Sequence, residues 1–490
     1  METTLTIQDL VPLLPMLVVT AMTVVVMLLI ALKRNHPLVG AVTMVGIALA
    51  LLATFLVLPF AGQQITPLLM IDNYSLFFTA VILVATGAIA VFSFPYLYDL
   101  KDEVEEFYLL LLIATIGALV MVSSNHFISA FLGLETLSIS LYGMIAYPLH
   151  SKDAAKFPLE AAVKYLVLSA VSSAFILFSI ALLYAQTGSL QFTDLALANG
   201  AAPVADGYYV TSLVLLMAGV GFKLSLAPFH LWTPDVYEGA PLPATMFLAT
   251  VGKAAMMVLL LRFIIASQAL SFSPVVAVMG VIAVLSILAG NVLALLQENL
   301  KRILAYSSIA HMGYLLIALI ALDGASTRLG VEAISFYLIA YIVMSLGAFG
   351  VATVVSSSEK EFDFVADYQG LFWREPWLAL LLTAMLLSLA GIPLTVGFIG
   401  KFYVVLAGVE GSLWGLLLVL VAGSGISIYY YLRIIYRMLL QSEHQQDFRI
   451  AGWSSIGSYA VLALLLFALV LLGVYPASLM ALIETVAVSI

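Results

Sequence analysis

The chain of 490 residues contains no cysteine. Disulfides are therefore excluded, and so are iron–sulfur clusters of the ordinary thiolate-held type. Charge is nearly as scarce. Only 9% of residues are Asp, Glu, Lys or Arg, 64% are hydrophobic, and the mean hydropathy is +1.16. A water-soluble domain could not cover its surface with so little polar material. The net charge of −9 comes with no polybasic stretch, so no nucleic-acid partner is expected. The opening "METTLTIQDL" has neither basic residues nor a small-residue cleavage site, so the first apolar run is expected to stay in the mature protein. What the chain does have is apolar runs of about 20 residues from end to end, each long enough to cross a hydrocarbon core of roughly 30 Å as a helix with its backbone internally hydrogen-bonded.

The pattern predicts an all-α membrane protein with about fourteen transmembrane helices, near 11–32, 38–60, 74–97, 107–122, 126–147, 159–185, 208–236, 243–266, 274–296, 302–322, 331–355, 377–409, 413–439 and 454–475. With the N-terminus outside, twelve basic residues fall at inner loops and helix ends: Lys33, Arg34, Lys101, Lys152, Lys156, Lys301, Arg302, Lys360, Arg374, Arg433, Arg437 and Arg449. Two fall outside, Arg328 and, at the rim of the eighth span, Arg262. That bias follows the positive-inside rule and predicts both termini on the outer side.

Four of the eighteen basic residues remain, and all are lysines inside spans: Lys164, Lys223, Lys253 and Lys401. Glu135, in "FLGLETLSISLYG", and His311, in "YSSIAHMGYLL", lie mid-span as well. A charged group at the bilayer centre costs about 2.5–3.5 kcal/mol on insertion scales, so such residues are kept for a reason. Lys164, near an inner helix end, also suits simple snorkelling. Buried lysine can lose its proton and arginine cannot, so an all-lysine row reads as a titrating chain. His311 fits a relay beside it, or a neutral core histidine bonded to a carbonyl.

Two spans are interrupted. "LSLAPFH" at 224–230 and "LSLAGIP" at 387–393 share Leu-Ser-Leu-Ala just before a helix breaker. They lie in the seventh and twelfth spans, five helices apart, and an odd offset inverts the orientation. Paired broken helices in two inverted five-helix halves are the pattern of secondary transporters. The expected organisation is three N-terminal helices in 1–100, a first half in 107–272, a second in 273–440, and a final transmembrane helix in 453–490. No phosphate-binding loop is completed at either Gly-Lys pair, since Phe247 and Thr395 stand where a glycine is needed. The six histidines form no HxxxH, and neither zinc nor haem is expected.

The segments "FLGLETLSISLYGMIAYP", "EAAVKYLVLSAVSSAFILFSIALLY", "GFKLSLAPFHLWTPDVYEGAP", "SSIAHMGYLLIAL" and "SLAGIPLTVGFIGKFYV" resemble the antiporter-like subunits of respiratory complex I, the bacterial proton-translocating NADH:quinone oxidoreductase, over nearly the whole chain. Within that family the chain is most similar to the subunit N type: it is expected to lack the lateral-helix extension of subunit L, and Lys401 stands where subunit M has glutamate. The resemblance implies a charge pair of Glu135 and Lys223, a central Lys253, a terminal Lys401, His311 on the polar axis between them, and Lys164 as an outlying member. It implies no cofactor in this chain, with NAD, FMN, iron–sulfur clusters and quinone held by other subunits. The implied partners are other membrane-arm subunits, another antiporter-like one included, and the lipid bilayer, with protons as the transported species in a bacterial inner membrane. A subunit of a multi-subunit sodium/proton antiporter and a passive assembly subunit are the alternatives.

Overall fold

The computed structural model describes residues 7–98, 104–147, 156–199, 207–322, 327–356, 361–441 and 455–490. Lys101, Lys152, Lys360 and Arg449 lie outside these residues. The described chain is almost wholly helical. Its membrane helices are α1 (Leu14–Leu32), α2 (His36–Val57), α3 (Asn73–Tyr98), α4 (Glu106–Val122), α5 (Phe127–Ala146), α6 (Lys156–Thr187), α7a (Gly207–Lys223) with α7b (Trp232–Gly239), and α8 (Leu242–Ser267). The second half continues with α9 (Ser273–Leu295), α10 (Leu300–Ile320), α11 (Thr327–Val355), α12a (Pro376–Ala390) with α12b (Val396–Glu410), α13 (Trp414–Leu439) and α14 (Ile456–Val474). Eleven of these segments are long and apolar enough to cross a membrane unaided, and α4, α7a and α12a are shorter apolar helices.

Contacts between helix ends fix which ends share a face. Arg34 after α1 reaches Glu106 at the start of α4, 2.8 Å away, and Trp373 before α12a donates to Leu439 O at the end of α13. This is the basic face. On the other face, Asp72 before α3 pairs with Arg262 near the end of α8, and Arg328 at the start of α11 reaches Glu484 beyond α14. The alternation requires the fourteen spans read from the sequence. Elements not expected from hydropathy decorate this second face: a hairpin of β1 (Gln63–Thr66) and β2 (Leu69–Ile71), short helices at Phe192–Asn199 and Ala477–Ala487, and a bridge from His126 to Gln191.

Lipid-facing and buried helices differ in what they carry. α8, α10 and α11 are almost wholly enclosed by protein, while α1, α13 and α14 turn most of their surface outward. The enclosed helices are the ones that can hold Lys253, His311 and a file of tyrosines without exposing them to hydrocarbon. Small residues bring the helices close. A Cβ at Gly117 would stand 2.6 Å from Gly133 O between α4 and α5, and one at Gly290 would stand 2.7 Å from Tyr306 O between α9 and α10. The same close crossing thus recurs five helices further along the chain.

Arg262 lies on this second face near the end of α8 and is buried there: it is 6% exposed, with Nη2 2.5 Å from Asp72 Oδ1. It ties α8 to the chain entering α3. Removing one partner of such a pair strands a buried charge at a cost of about 3–5 kcal/mol. Asp72→Ala is therefore expected to lower the thermal stability of the purified complex markedly, read as a fall in its melting temperature, whereas Glu160→Ala, at the exposed pair with Lys164, is expected to change it little.

Candidate functional site

Lys223 is the last residue of α7a, at the point where the helix opens. Between it and α7b the chain runs irregularly over 224–231, with Ser225 at φ 62° and Leu226 N bonded back to Gly221 O. The freed backbone is met from outside: Ala227 N donates to Ser286 Oγ on α9 at 2.9 Å. The Lys223 side chain extends across to α5 and α6, where Nζ donates to Ser138 Oγ (2.9 Å) and Ser169 Oγ (2.7 Å). Tyr142 donates to the same Ser169 oxygen at 2.9 Å.

Glu135 lies one turn from Ser138, and its carboxylate accepts from Ser173, one turn from Ser169. No carboxylate oxygen of Glu135 comes within 4.0 Å of Lys223 Nζ. The two residues implied as a charge pair are thus neighbours linked through serines rather than a contact pair. Each is instead held by a serine of α6, Glu135 by Ser173 and Lys223 by Ser169, one turn apart.

The second group forms around α10. Lys253 follows a π-helical turn, Leu248–Gly252, which interrupts α8. Such turns are rare and frequent at functional positions. Lys253 is 1% exposed, and its Nζ donates to Ser308 Oγ at 2.5 Å; Ser308 in turn shares a hydrogen bond with Tyr341 Oη. The Tyr341 ring lies 5.6 Å from the His311 ring, and His311 Nδ1 is bonded to Tyr337 Oη at 2.7 Å. Tyr314 follows at 5.6 Å from His311, and Lys401 Nζ stands 5.3 Å over the Tyr314 ring. Lys401 sits on α12b and donates back across the break to Ala390 O (2.8 Å) and Leu389 O (3.2 Å). Those carbonyls end α12a, so the ammonium faces the negative pole of a helix rather than an acid. Gly391 takes φ 87° there, and a Cβ on it would meet the Lys401 side chain at 2.9 Å.

Lys253 through Lys401 is therefore one continuous file of side chains. A small cavity adjoins Lys223, lined also by Ser138, Tyr165, Leu248 and Gly252 among others; Gly252 precedes Lys253, which does not itself line it. Lys164 lies apart from the file. Its side chain is 43% exposed and bonded to Glu160 (2.9 Å) and Asp235 (3.1 Å). Asp235 is shared with Arg302, which also holds Glu238, while neighbouring Lys301 is clasped by Glu361 and Asp363. This network joins α6, α7b and α10 on the basic face. Trp232, prominent in the same stretch, donates its indole N–H to Phe222 O across the break.

The buried cations thus fall into two kinds. Arg262 and Lys301 are held by carboxylates. Lys223, Lys253 and Lys401 are held only by hydroxyls or carbonyls, with no acid within ion-pair distance among the described residues.

Residues 124–427 match the transmembrane family described as NADH:quinone oxidoreductase/Mrp antiporter. The chain belongs to this family. The match runs from the start of α5 into α13, and so takes in Glu135, Lys164, Lys223, Lys253, His311 and Lys401. Among solved structures, the chain is similar to a chain of respiratory complex I from Thermus thermophilus, at 32% identity over 95% of this chain and 98% of that one, with a TM-score of 0.79. It is also similar to a chain of the archaeal membrane-bound sulfane sulfur reductase, at 25% identity over 98% and 96%, TM-score 0.83. A chain of the Mrp complex from a Dietzia species matches over 98% and 97% with TM-score 0.83, but at 18% identity that likeness carries the fold alone. The chain is an antiporter-like subunit of the NADH:quinone oxidoreductase kind.

Within this family frame, the partners that sequence reasoning missed are Ser169, Ser173, Ser308, Tyr337 and Tyr341. A signal for most of them was present. Glu-Ala-x-x-x-Tyr-Leu occurs at 160–166 on α6 and again at 332–338 on α11, the corresponding helices of the two halves. Four residues past each tyrosine stand Ser169, which holds Lys223, and Tyr341, which shares Ser308 with Lys253.

Proposed function

We propose that the chain is the subunit N type of a bacterial NADH:quinone oxidoreductase, seated in the inner membrane with both termini outside, and that it conducts protons along Glu135, Lys223, Lys253, His311 and Lys401. The observation that carries this reading is the neutral set of partners around all three lysines. A buried ammonium with no acid beside it is costly, and the cost disappears when the proton leaves. A carboxylate partner would remove that incentive, as at Lys301. In the proposed cycle Lys223 gives its proton to water in the adjoining cavity and becomes a neutral amine. Lys253 takes it up, and the Ser308, Tyr341, His311 and Tyr314 file carries it on to Lys401 and out. Glu135 acts through the serine turns of α6: a shift of Ser173 moves Ser169, and so the grip on Lys223. Redox groups and the driving signal, quinone reduction, belong to other subunits. Lys164 is left out of the conducting set and assigned to the basic-face network.

Two measurements test this. Affinity purification of the chain should bring NADH oxidation by an artificial acceptor with it; a sodium/proton antiporter subunit would bring none. Within the assembled complex, Ser169→Ala removes one of two acceptors holding Lys223, a loss of about 1–3 kcal/mol. Proton pumping should fall several-fold. Ser172→Ala, whose hydroxyl bonds Gly219 O instead, should leave it unchanged.

A further inference from the structure

Two of the three axis lysines lie over the face of a buried tyrosine. Lys253 Nζ stands 5.7 Å from the centroid of the Tyr237 ring on α7b, and Lys401 Nζ stands 5.3 Å from that of Tyr314 on α10. Both rings are fully buried. They are held in different ways. Tyr237 meets Phe349 of α11 edge-on at 6.1 Å, and its backbone carbonyl accepts from Thr245 Oγ1 at 3.3 Å. Its hydroxyl is buried with no hydrogen-bond partner among the described residues. The Tyr314 hydroxyl instead accepts from Asn291 Nδ2 at 3.1 Å, and its ring meets that of His311 edge-on at 5.6 Å. The two hydroxyls have nothing in common. What the tyrosines share is a ring face turned to a lysine.

We infer that Tyr237 and Tyr314 are positioning residues whose ring faces favour the protonated forms of Lys253 and Lys401. The inference rests on the proposed function. A hydroxyl or carbonyl oxygen accepts a hydrogen bond from an ammonium and from a neutral amine alike, so Ser308, Leu389 and Ala390 can hold both forms of their lysines. A ring face carries the negative part of the aromatic quadrupole and attracts the cation alone. That attraction grows where water is excluded, and Lys253 and Lys401 are 1% and 7% exposed. It remains weaker than a carboxylate, which holds a lysine in its charged form as Glu361 does at Lys301. A ring therefore suits a lysine that has to take a proton up and then release it.

Little else around the two ammonium groups tells charge from no charge. Lys253 is faced by Ser308 and His311 of α10 and, through Ser308, by Tyr341 of α11. Lys401 is faced by His311 and by the carbonyls that end α12a. No acid lies within ion-pair distance of either lysine among the described residues.

The test uses the whole complex in sealed vesicles, with protons moved per NADH oxidised followed as the pH is raised. Removing a ring destabilises the ammonium above it and weakens the hold of the lysine on its proton. The alkaline limb of the pumping profile then moves to lower pH. Tyr237→Leu and Tyr314→Leu are each expected to move it by about one pH unit. Tyr237→Phe and Tyr314→Phe keep the ring and should keep the profile of the parent. Because leucine also alters packing, a series that preserves shape is the stricter test: phenylalanine, difluorophenylalanine and trifluorophenylalanine in place of Tyr237. Each added fluorine draws electrons from the ring face, so the limb should move down step by step. A flat series in an assembled complex overturns the inference. So does a Phe variant that shifts as far as its Leu counterpart, because the hydroxyl would then be the acting group. Lys253→Ala reports separately on the proposed function: if it pumps fully, that reading fails whatever the rings do.

Discussion

Lys223→Ala is expected to reduce proton pumping by an assembled complex by on the order of tenfold or more, and Lys223→Arg is expected to fail as well. The alanine variant removes the cation that Ser138 and Ser169 hold, leaving those hydroxyls and Tyr142 with no ammonium to take a proton from. The arginine variant keeps the charge and loses the chemistry, because a guanidinium does not give up its proton in a protein. The readout is gradient formation by vesicles oxidising NADH, normalised to NADH oxidation by an artificial acceptor. Normal pumping by Lys223→Arg would make the residue a fixed charge and remove the first step of the proposed route.

The lysines were legible in the sequence because a charge in an apolar span is expensive and therefore conspicuous. The breaks in α7 and α12 were legible because Pro228, Gly391 and Pro393 cannot continue a regular helix. What surrounds the lysines was not. Serine and tyrosine cost little in a membrane helix, and with 23 tyrosines in the chain no single one stands out. The 160–166 and 332–338 repeat marks Tyr337 and points to Tyr341, but their partners show only once α11 is seen to pack along α10, beside His311 and Ser308. The π-helical turn before Lys253 has no signature in hydropathy at all, since Leu248–Gly252 reads as ordinary apolar helix. It changes which way the lysine faces, and that is a property of packing.

Pairing was the other blind spot. The family resemblance implied a charge pair of Glu135 and Lys223, and the structure holds the two beyond ion-pair distance. The structure instead spends its carboxylates elsewhere: Asp72 on Arg262, Glu361 and Asp363 on Lys301, Asp235 and Glu238 on Arg302. Lys164, nearer a helix end than the other intramembrane lysines, suited snorkelling as well as a place on the axis, and Asp235 draws it into the basic-face network. The partner of each depends on how α6 and α7b cross, which spacing along the chain does not fix.

The most direct measurement of the account is proton stoichiometry in a complex carrying Lys401→Ala. Lys401 ends the continuous file from Lys253 and is held by the carbonyls of Ala390 and Leu389 across the break in α12. Its loss should leave assembly and NADH oxidation by artificial acceptors intact, because both depend on other parts. Pumping and the quinone reduction coupled to it should fall together, by on the order of tenfold, since a blocked exit stalls the cycle that drives it. Lys401→Glu should restore part of the activity by placing a second titratable group in the same space. The account predicts a marked drop in protons moved per NADH oxidised by the alanine variant. Full stoichiometry from an intact Lys401→Ala complex would contradict it.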